Sequence, residues 1–228
     1  MDTAIRTRQL GKSFVLGNKN KIEVLKNINI EITKGYLTIL RGRSGSGKTT
    51  LLNLLSALDE PTEGTVEFLG RNLGELSVSK KEALRSRQMG FVFQSIALVP
   101  VMSAYENVDF ALRLAEYEGD RDKRIKEIME RVGLRGRMYH MANQLSGGEQ
   151  QRVAIARAVA HYPEVIFADE PTGALDTASG LAVMALFREL VEKEGATIVM
   201  TTHDPNLTEL GDEVYEVLDG EVKGCQRH

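Results

Sequence analysis

Residues 42–50, GRSGSGKTT, hold Gly42, Arg43, Ser44, Gly45, Ser46, Gly47, Lys48, Thr49 and Thr50 in the order G-x-x-x-x-G-K-[ST]. Glycines at this spacing let backbone N–H groups wrap a phosphate chain. Lys48 can neutralise its outer oxygens, and the Thr49 hydroxyl can ligate Mg²⁺. A Gly-rich turn with a surface lysine is the bland reading, and the context argues against it. An apolar strand, YLTIL, precedes the loop and a helical run, KTTLLNLLSALD, follows it.

A phosphate loop of this kind needs a distal acid, and VIFADE supplies two. Asp169 ends an apolar strand, where α/β sheets build their sites, and Glu170 follows directly. Two adjacent carboxylates are costly unless a metal shell takes one and a water-directing role uses the other. Gln94 closes MGFVFQ and His203 closes ATIVMTTH. A glutamine there can touch Mg²⁺ or the attacking water, and a histidine can hydrogen-bond a terminal phosphate oxygen. His140, His161 and His228 show no ligand-like spacing with His203, so a histidine metal site is not expected.

A second anion-binding feature stands apart from the first. In LSGGEQQRVAIARAVAH, Ser146 is a fitting N-cap, and Gly147 and Gly148 bare the N–H groups of the helix it starts. Phe14, in GKSF, offers a flat face for a base but could equally be core. Arg152 and Arg157 read as structural.

The elements that must hold these residues alternate. AIRTRQL, VLKNINIEI, YLTIL, TVEFLG, EVIFADEP and ATIVMTTHD read as strands, and RDKRIKEIMERVGL and GLAVMALFRELVEKEG as amphipathic helices. EVYEVLDGEV reads as a terminal hairpin turning at Asp219-Gly220. The pattern predicts one α/β domain over residues 1–228, with a helical subdomain inserted over about 95–160.

Bulk properties narrow the function. The formal net charge is −3, which gives no general attraction to nucleic acid. The single cysteine, Cys225, rules out an intrachain disulfide and a cysteine-based zinc site. The N-terminus has no signal-like apolar segment, and no run is long enough to span a bilayer, so a soluble chain is expected whose membrane role needs a partner.

Taken in order, these stretches resemble the nucleotide-binding subunit of ATP-binding-cassette (ABC) transporters along essentially the whole chain. Phe14 is similar to the A-loop aromatic, residues 42–49 to Walker A, Gln94 to the Q-loop, and LSGGEQQR to the signature motif. VIFADE resembles Walker B, GALD with Asp176 the D-loop, and His203 the switch histidine. The resemblance implies an ABC ATPase core of the P-loop NTPase class, with an antiparallel β subdomain and a helical subdomain. It implies ATP and Mg²⁺ as cofactors. Two copies would close head to tail, each ATP lying on one copy's Walker A and under the other's Ser146, Gly147 and Gly148. Glu170 would be the general base, with Lys48, Gln94 and His203 catalytic, and Thr49, Gln94 and Asp169 the metal set. Asp176 would communicate across the interface.

LLNLLSALDEPTEGTVEF and GFVFQSIALVPVMSAYENV are similar to the lipoprotein-release, macrolide-export and antimicrobial-peptide-resistance group (LolD, MacB and bacitracin-exporter types). That group implies an ATPase on the cytoplasmic face of the membrane, bound to a permease through Gln94–Tyr105, with Val99, Pro100, Val101, Met102 and Tyr105 forming the groove. An FtsE-like regulator that moves no substrate would use the same residues. A soluble cassette acting on DNA or ribosomes would need a coiled-coil insertion or a second cassette, and the chain holds neither. The departures are Arg41 and Arg43 around Gly42, which would alter the phosphate site's field, and Tyr36 in KGYLTIL, where the family commonly has an acid.

Overall fold

The computed structural model describes residues 2–16, 20–173 and 175–227. Ala174, within GALD, and His228 lie outside these. The chain runs β1 (Thr3–Leu16), β2 (Asn20–Ile28), β3 (Glu31–Thr33), β4 (Leu37–Arg41), α1 (Lys48–Leu55), β5 (Glu63–Phe68) and β6 (Arg71–Asn72). Then come α2 (Val78–Gln88), β7 (Met89–Val92), α3 (Ala104–Leu114), α4 (Arg121–Arg131), α5 (Gly147–Val159), β8 (Val165–Asp169) and α6 (Thr177–Glu194). The chain closes with β9 (Thr197–Thr202), β10 (Glu213–Leu218) and β11 (Glu221–Arg227).

Two sheets result. The smaller is antiparallel, ordered β2-β1-β5-β6 with β3 also paired to β1; the larger is ordered β11-β10-β4-β9-β8-β7. Every pairing in the larger sheet is parallel except β10 with β11. Its central strands are apolar on both faces, as a sheet covered on two sides requires. Ile39, Ile166, Ala168, Ile198 and Met200 face a core shared with α3, α4, α5 and α6. Their neighbours Leu40, Val165, Phe167 and Val199 face a second core, shared with α1 and the antiparallel sheet.

Local rules set the helix starts. Ser77, Ser103, Asp120, Ser146 and Asp176 each cap a helix by accepting a backbone N–H, and Ser103 and Ser146 form reciprocal capping boxes with Glu106 and Glu149. Gly195, at φ 65°, ends α6 in the left-handed conformation that glycine tolerates.

Three local readings change. VLKNINIEI is two strands, because Asn27 turns to φ 46° and the Asn29 amide donates to its carbonyl. The helix after the phosphate loop stops at Leu55, and Ala57 follows at φ 56°. Phe14 lies inside the long strand β1, paired with Ile22.

Candidate active site

The order of the larger sheet arranges the chemistry. Along the carboxyl ends of β4, β9, β8 and β7 come, in turn, the phosphate loop, His203, the Asp169–Glu170 pair and Gln94. This is the edge at which parallel α/β sheets bind ligands. β7 ends at Val92, so Gln94 stands two residues beyond the strand it was expected to close.

The phosphate loop is held from two directions. The Gly42 N–H donates to the Thr202 carbonyl at 3.3 Å, and the Gly220 N–H donates to the Ser46 carbonyl at 3.2 Å. Gly42 has no room for a side chain: a Cβ there would stand 2.3 Å from the Val217 carbonyl oxygen. Gly47 adopts φ 102° as the N-cap of α1. Lys48 is buried and folds back, its ammonium donating to the carbonyls of Gly42 at 2.9 Å and Arg43 at 3.1 Å. Ser46 Oγ is buried and has no hydrogen-bond partner.

The two acids point different ways. Glu170 sits at φ 43°, which turns its side chain away from that of Asp169. Asp169 accepts from Thr49 Oγ1 at 3.0 and 3.1 Å and from Thr201 Oγ1 at 2.6 Å. Glu170 gathers the remaining groups: Lys48 Nζ at 3.7 Å, His203 Nδ1 at 3.2 Å and Gln94 Nε2 at 3.4 Å. Thr201 ties the pair together, since its hydroxyl also accepts the Glu170 N–H at 2.9 Å.

An open cleft of about 590 Å³ lies over these groups, lined by Val24, Ser44, Gly45, Gly47, Lys48, Thr49, Thr50, Gln94 and Glu170. The residues fit a phosphate chain with Mg²⁺: a hydroxyl and a carboxylate meet, a lysine is at hand, and an orphaned buried hydroxyl, Ser46 Oγ, lies in the loop. No group of three histidine, cysteine or acidic side chains that could hold a metal unaided occurs among the described residues.

Several expected residues lie outside the cleft lining. Ser146, Gly147 and Gly148 start α5, with Ser146 and Gly147 exposed. Asp176 is exposed at the start of α6, its carboxyl held below the usual range by hydrogen bonds from the Ser179 side chain and backbone. Phe14 is 42% exposed and so is not core, and the Lys12 ammonium lies 5.0 Å from its ring centre. Arg41 is paired with Glu216 on β10 at 2.9 Å, which offsets its charge near the phosphate loop.

A family model for ABC transporters matches residues 25–173. The chain belongs to the ABC transporter family. This cassette is 44% identical over 219 residues to the uncharacterized ABC transporter ATP-binding protein MJ1508 of Methanocaldococcus jannaschii, covering 96% of this chain and 97% of that one. It is 43% identical to the macrolide export ATP-binding/permease protein MacB of Bartonella henselae, covering 97% of this chain and 33% of that longer protein. Its fold matches the dimeric, post-hydrolysis structure of the ATP-binding cassette MJ0796 bound to ADP and Pi, with a TM-score of 0.91, 39% identity and 98% of each chain covered. The cassette is an ABC ATPase, and none of its described helices is long and apolar enough to cross a membrane.

Sequence reasoning missed Thr201, Val24 and Gly220. Thr201 sits in an apolar strand and gains meaning only when β8 and β9 align it with Asp169. Val24, in β2, and Gly220, in the turn between β10 and β11, reach the phosphate loop from distant parts of the sequence. The Asp219-Gly220 turn was a signal for Gly220 alone.

Proposed function

We propose that this cassette is the ATPase subunit of a membrane complex. In this reading two copies close head to tail around two ATP molecules, and their cycle drives export, lipoprotein release or antimicrobial-peptide resistance through a separate permease. The observation that carries the reading is the convergence of Lys48, Gln94 and His203 on the Glu170 carboxylate beside a phosphate loop.

The chemistry follows from these positions. Backbone N–H groups of the loop cradle the phosphates, with that of Ser46 released from the Arg43 carbonyl it meets at 3.2 Å, and Lys48 exchanges two backbone carbonyls for phosphate oxygens. Glu170, at the mouth of the cleft, accepts the proton of the attacking water, while His203 and Gln94 fix the direction of its carboxylate. Thr49 and Asp169, with Gln94 beside them, would hold Mg²⁺, which when bound offsets the charge of the phosphates. The signature loop of one copy completes the site of the other, in keeping with the absence of Ser146–Gly148 from their own cleft lining.

For the permease, the fitting surface lies beside the segment named from sequence. A groove of about 690 Å³ is floored by Phe91, Phe93, Ala97, Phe110 and Leu114, and of the Gln94–Tyr105 segment only Ala97 lines it. Asn107 instead fastens that segment, binding Val99, Met102 and Ser103, while Tyr105 stacks on Tyr139. Arg85 and Arg157, also in the groove, donate to the carbonyls of Ala57 and Ala97 and have no carboxylate partner among the described residues. That leaves positive charge for an acidic side chain on a short cytoplasmic helix of the permease.

The test is capture of tagged Glu170→Gln with Mg-ATP from solubilised native membranes, with co-purifying chains identified by mass spectrometry. A permease with four spanning helices and a large external region supports export or release, and one with about ten supports peptide-antibiotic resistance. Ribosomal or DNA-bound proteins with no membrane protein would overturn the reading.

A further inference from the structure

The start of α5 carries a negative charge of its own. Glu149 Oε2 accepts the Ser146 N–H at 2.8 Å, and the Glu149 N–H donates to Ser146 Oγ at 3.3 Å. The capping box steadies the helix. It also parks a carboxylate on the loop that, in the reading above, must receive the terminal phosphate of an ATP held by another copy. Two anions at one helix start repel, and they do so more strongly once an interface closes and excludes water.

The resident charge is answered from outside α5. Arg137, in the short turn Arg135–Arg137, brings Nε to 3.4 Å from Glu149 Oε1. Arg137 has no other carboxylate partner among the described residues, and its guanidinium also lies 3.2 Å from His140 Nε2. Hydrogen bonds from Ser146, with Arg137 and Arg152 alongside, hold the Glu149 carboxyl below its ordinary range, so it stays ionised and its charge must be offset.

We propose that Arg137 is a positioning residue of the shared nucleotide site: it neutralises Glu149 so that the Ser146–Gly148 loop accepts a nucleoside triphosphate bound to a second copy of this chain. The proposal rests on the head-to-tail reading. Arg137 lies outside the chain's own cleft, so its effect falls on association and not on nucleotide binding by the monomer.

The experiment places Arg137→Gln in the Glu170→Gln background and measures Mg-ATP-dependent dimerisation by sedimentation, beside the monomer's affinity for a fluorescent ATP analogue and its thermal midpoint. Dimerisation is expected to weaken roughly five- to twentyfold, the range of one part-exposed charge pair lost at each of two sites. Monomer affinity and thermal midpoint are expected to hold, and the deficit should shrink as salt rises. Adding Glu149→Gln, which keeps the cap acceptor and drops the charge, should restore dimerisation; a purely structural pair would lower the midpoint and give no such rescue. The proposal is overturned if Arg137→Gln dimerises as tightly as its parent, or if the double variant stays as weak as the single. A Glu170→Gln parent that stays monomeric in Mg-ATP overturns the head-to-tail reading itself, and this proposal with it.

Discussion

Thr201→Val removes one hydroxyl at nearly constant volume, and the structure sets what that hydroxyl is worth. It donates to Asp169 at 2.6 Å, accepts from the Glu170 N–H at 2.9 Å, and belongs to a residue with 0% exposure, so no water replaces it. Leaving the Glu170 N–H unpaired costs about 1–3 kcal/mol, and losing a hydrogen bond to a charged carboxylate costs about 1.5–3 kcal/mol. Asp169 keeps its Thr49 contact, and the valine methyl gains packing, which brings the net to roughly 2–4 kcal/mol. At about 2–4 °C per kcal/mol for a chain of this size, the thermal midpoint falls by about 4–16 °C. Activity falls further than stability. Glu170 holds a left-handed conformation that costs about 1–3 kcal/mol and persists only where its surroundings enforce it. With its N–H released, the carboxylate loses its aim and kcat drops about 10- to 100-fold. Scanning calorimetry and steady-state Mg-ATPase assays read both effects, with Thr201→Ser as the variant that keeps the hydroxyl. A valine variant within about 1 °C and twofold of wild-type kcat would refute the reasoning.

Two further outcomes follow from packing and charge. Gly42→Ala drives a Cβ to 2.3 Å from the Val217 carbonyl and 2.6 Å from Ser46 Oγ; overpacking of about 1–3 kcal/mol should displace the phosphate loop, read as lost binding of a fluorescent ATP analogue by a chain still folded by circular dichroism. Burial holds the His161 imidazole below its ordinary value, and its Nδ1 has no hydrogen-bond partner. The unfolded chain therefore takes up a proton near pH 6.5 that the folded chain resists, so stability falls as pH drops below that value. The thermal midpoint of the wild type should fall more steeply than that of His161→Gln between pH 7.5 and 5, and parallel curves would contradict the assignment.

The parts legible in the sequence were those whose physics is local. The phosphate loop declares itself by glycine spacing, and the terminal hairpin by Asp219-Gly220, whose φ values of 49° and 79° suit a tight turn. Ser146 was legible as a helix start because capping needs only residues within one turn, whereas the helix capped by Asp176 begins three residues before the GLAVMALFRELVEKEG run that announced it. What escaped depends on strand register. Thr201 looks like any β-branched residue until β9 is laid between β4 and β8. Likewise, nothing near Gly220 says that its N–H will brace Ser46, across a separation that only tertiary packing closes. The apolar run at Val99–Met102 was legible as a candidate docking surface, but hydrophobicity alone does not reveal that Asn107, fully buried, holds the Val99 and Met102 carbonyls.

In the proposed dimer each copy holds ATP on its own phosphate loop and reads its partner's through Ser146. The most direct measurement compares Glu170→Gln with Glu170→Gln/Ser146→Arg, following Mg-ATP affinity and molecular mass in the same samples by equilibrium binding and light scattering. A dimer is expected for the first variant, and for the second a monomer that binds Mg-ATP as tightly as the first variant's monomer. Loss of Mg-ATP binding by the well-folded Ser146→Arg monomer would place Ser146 in its own chain's site and contradict the account.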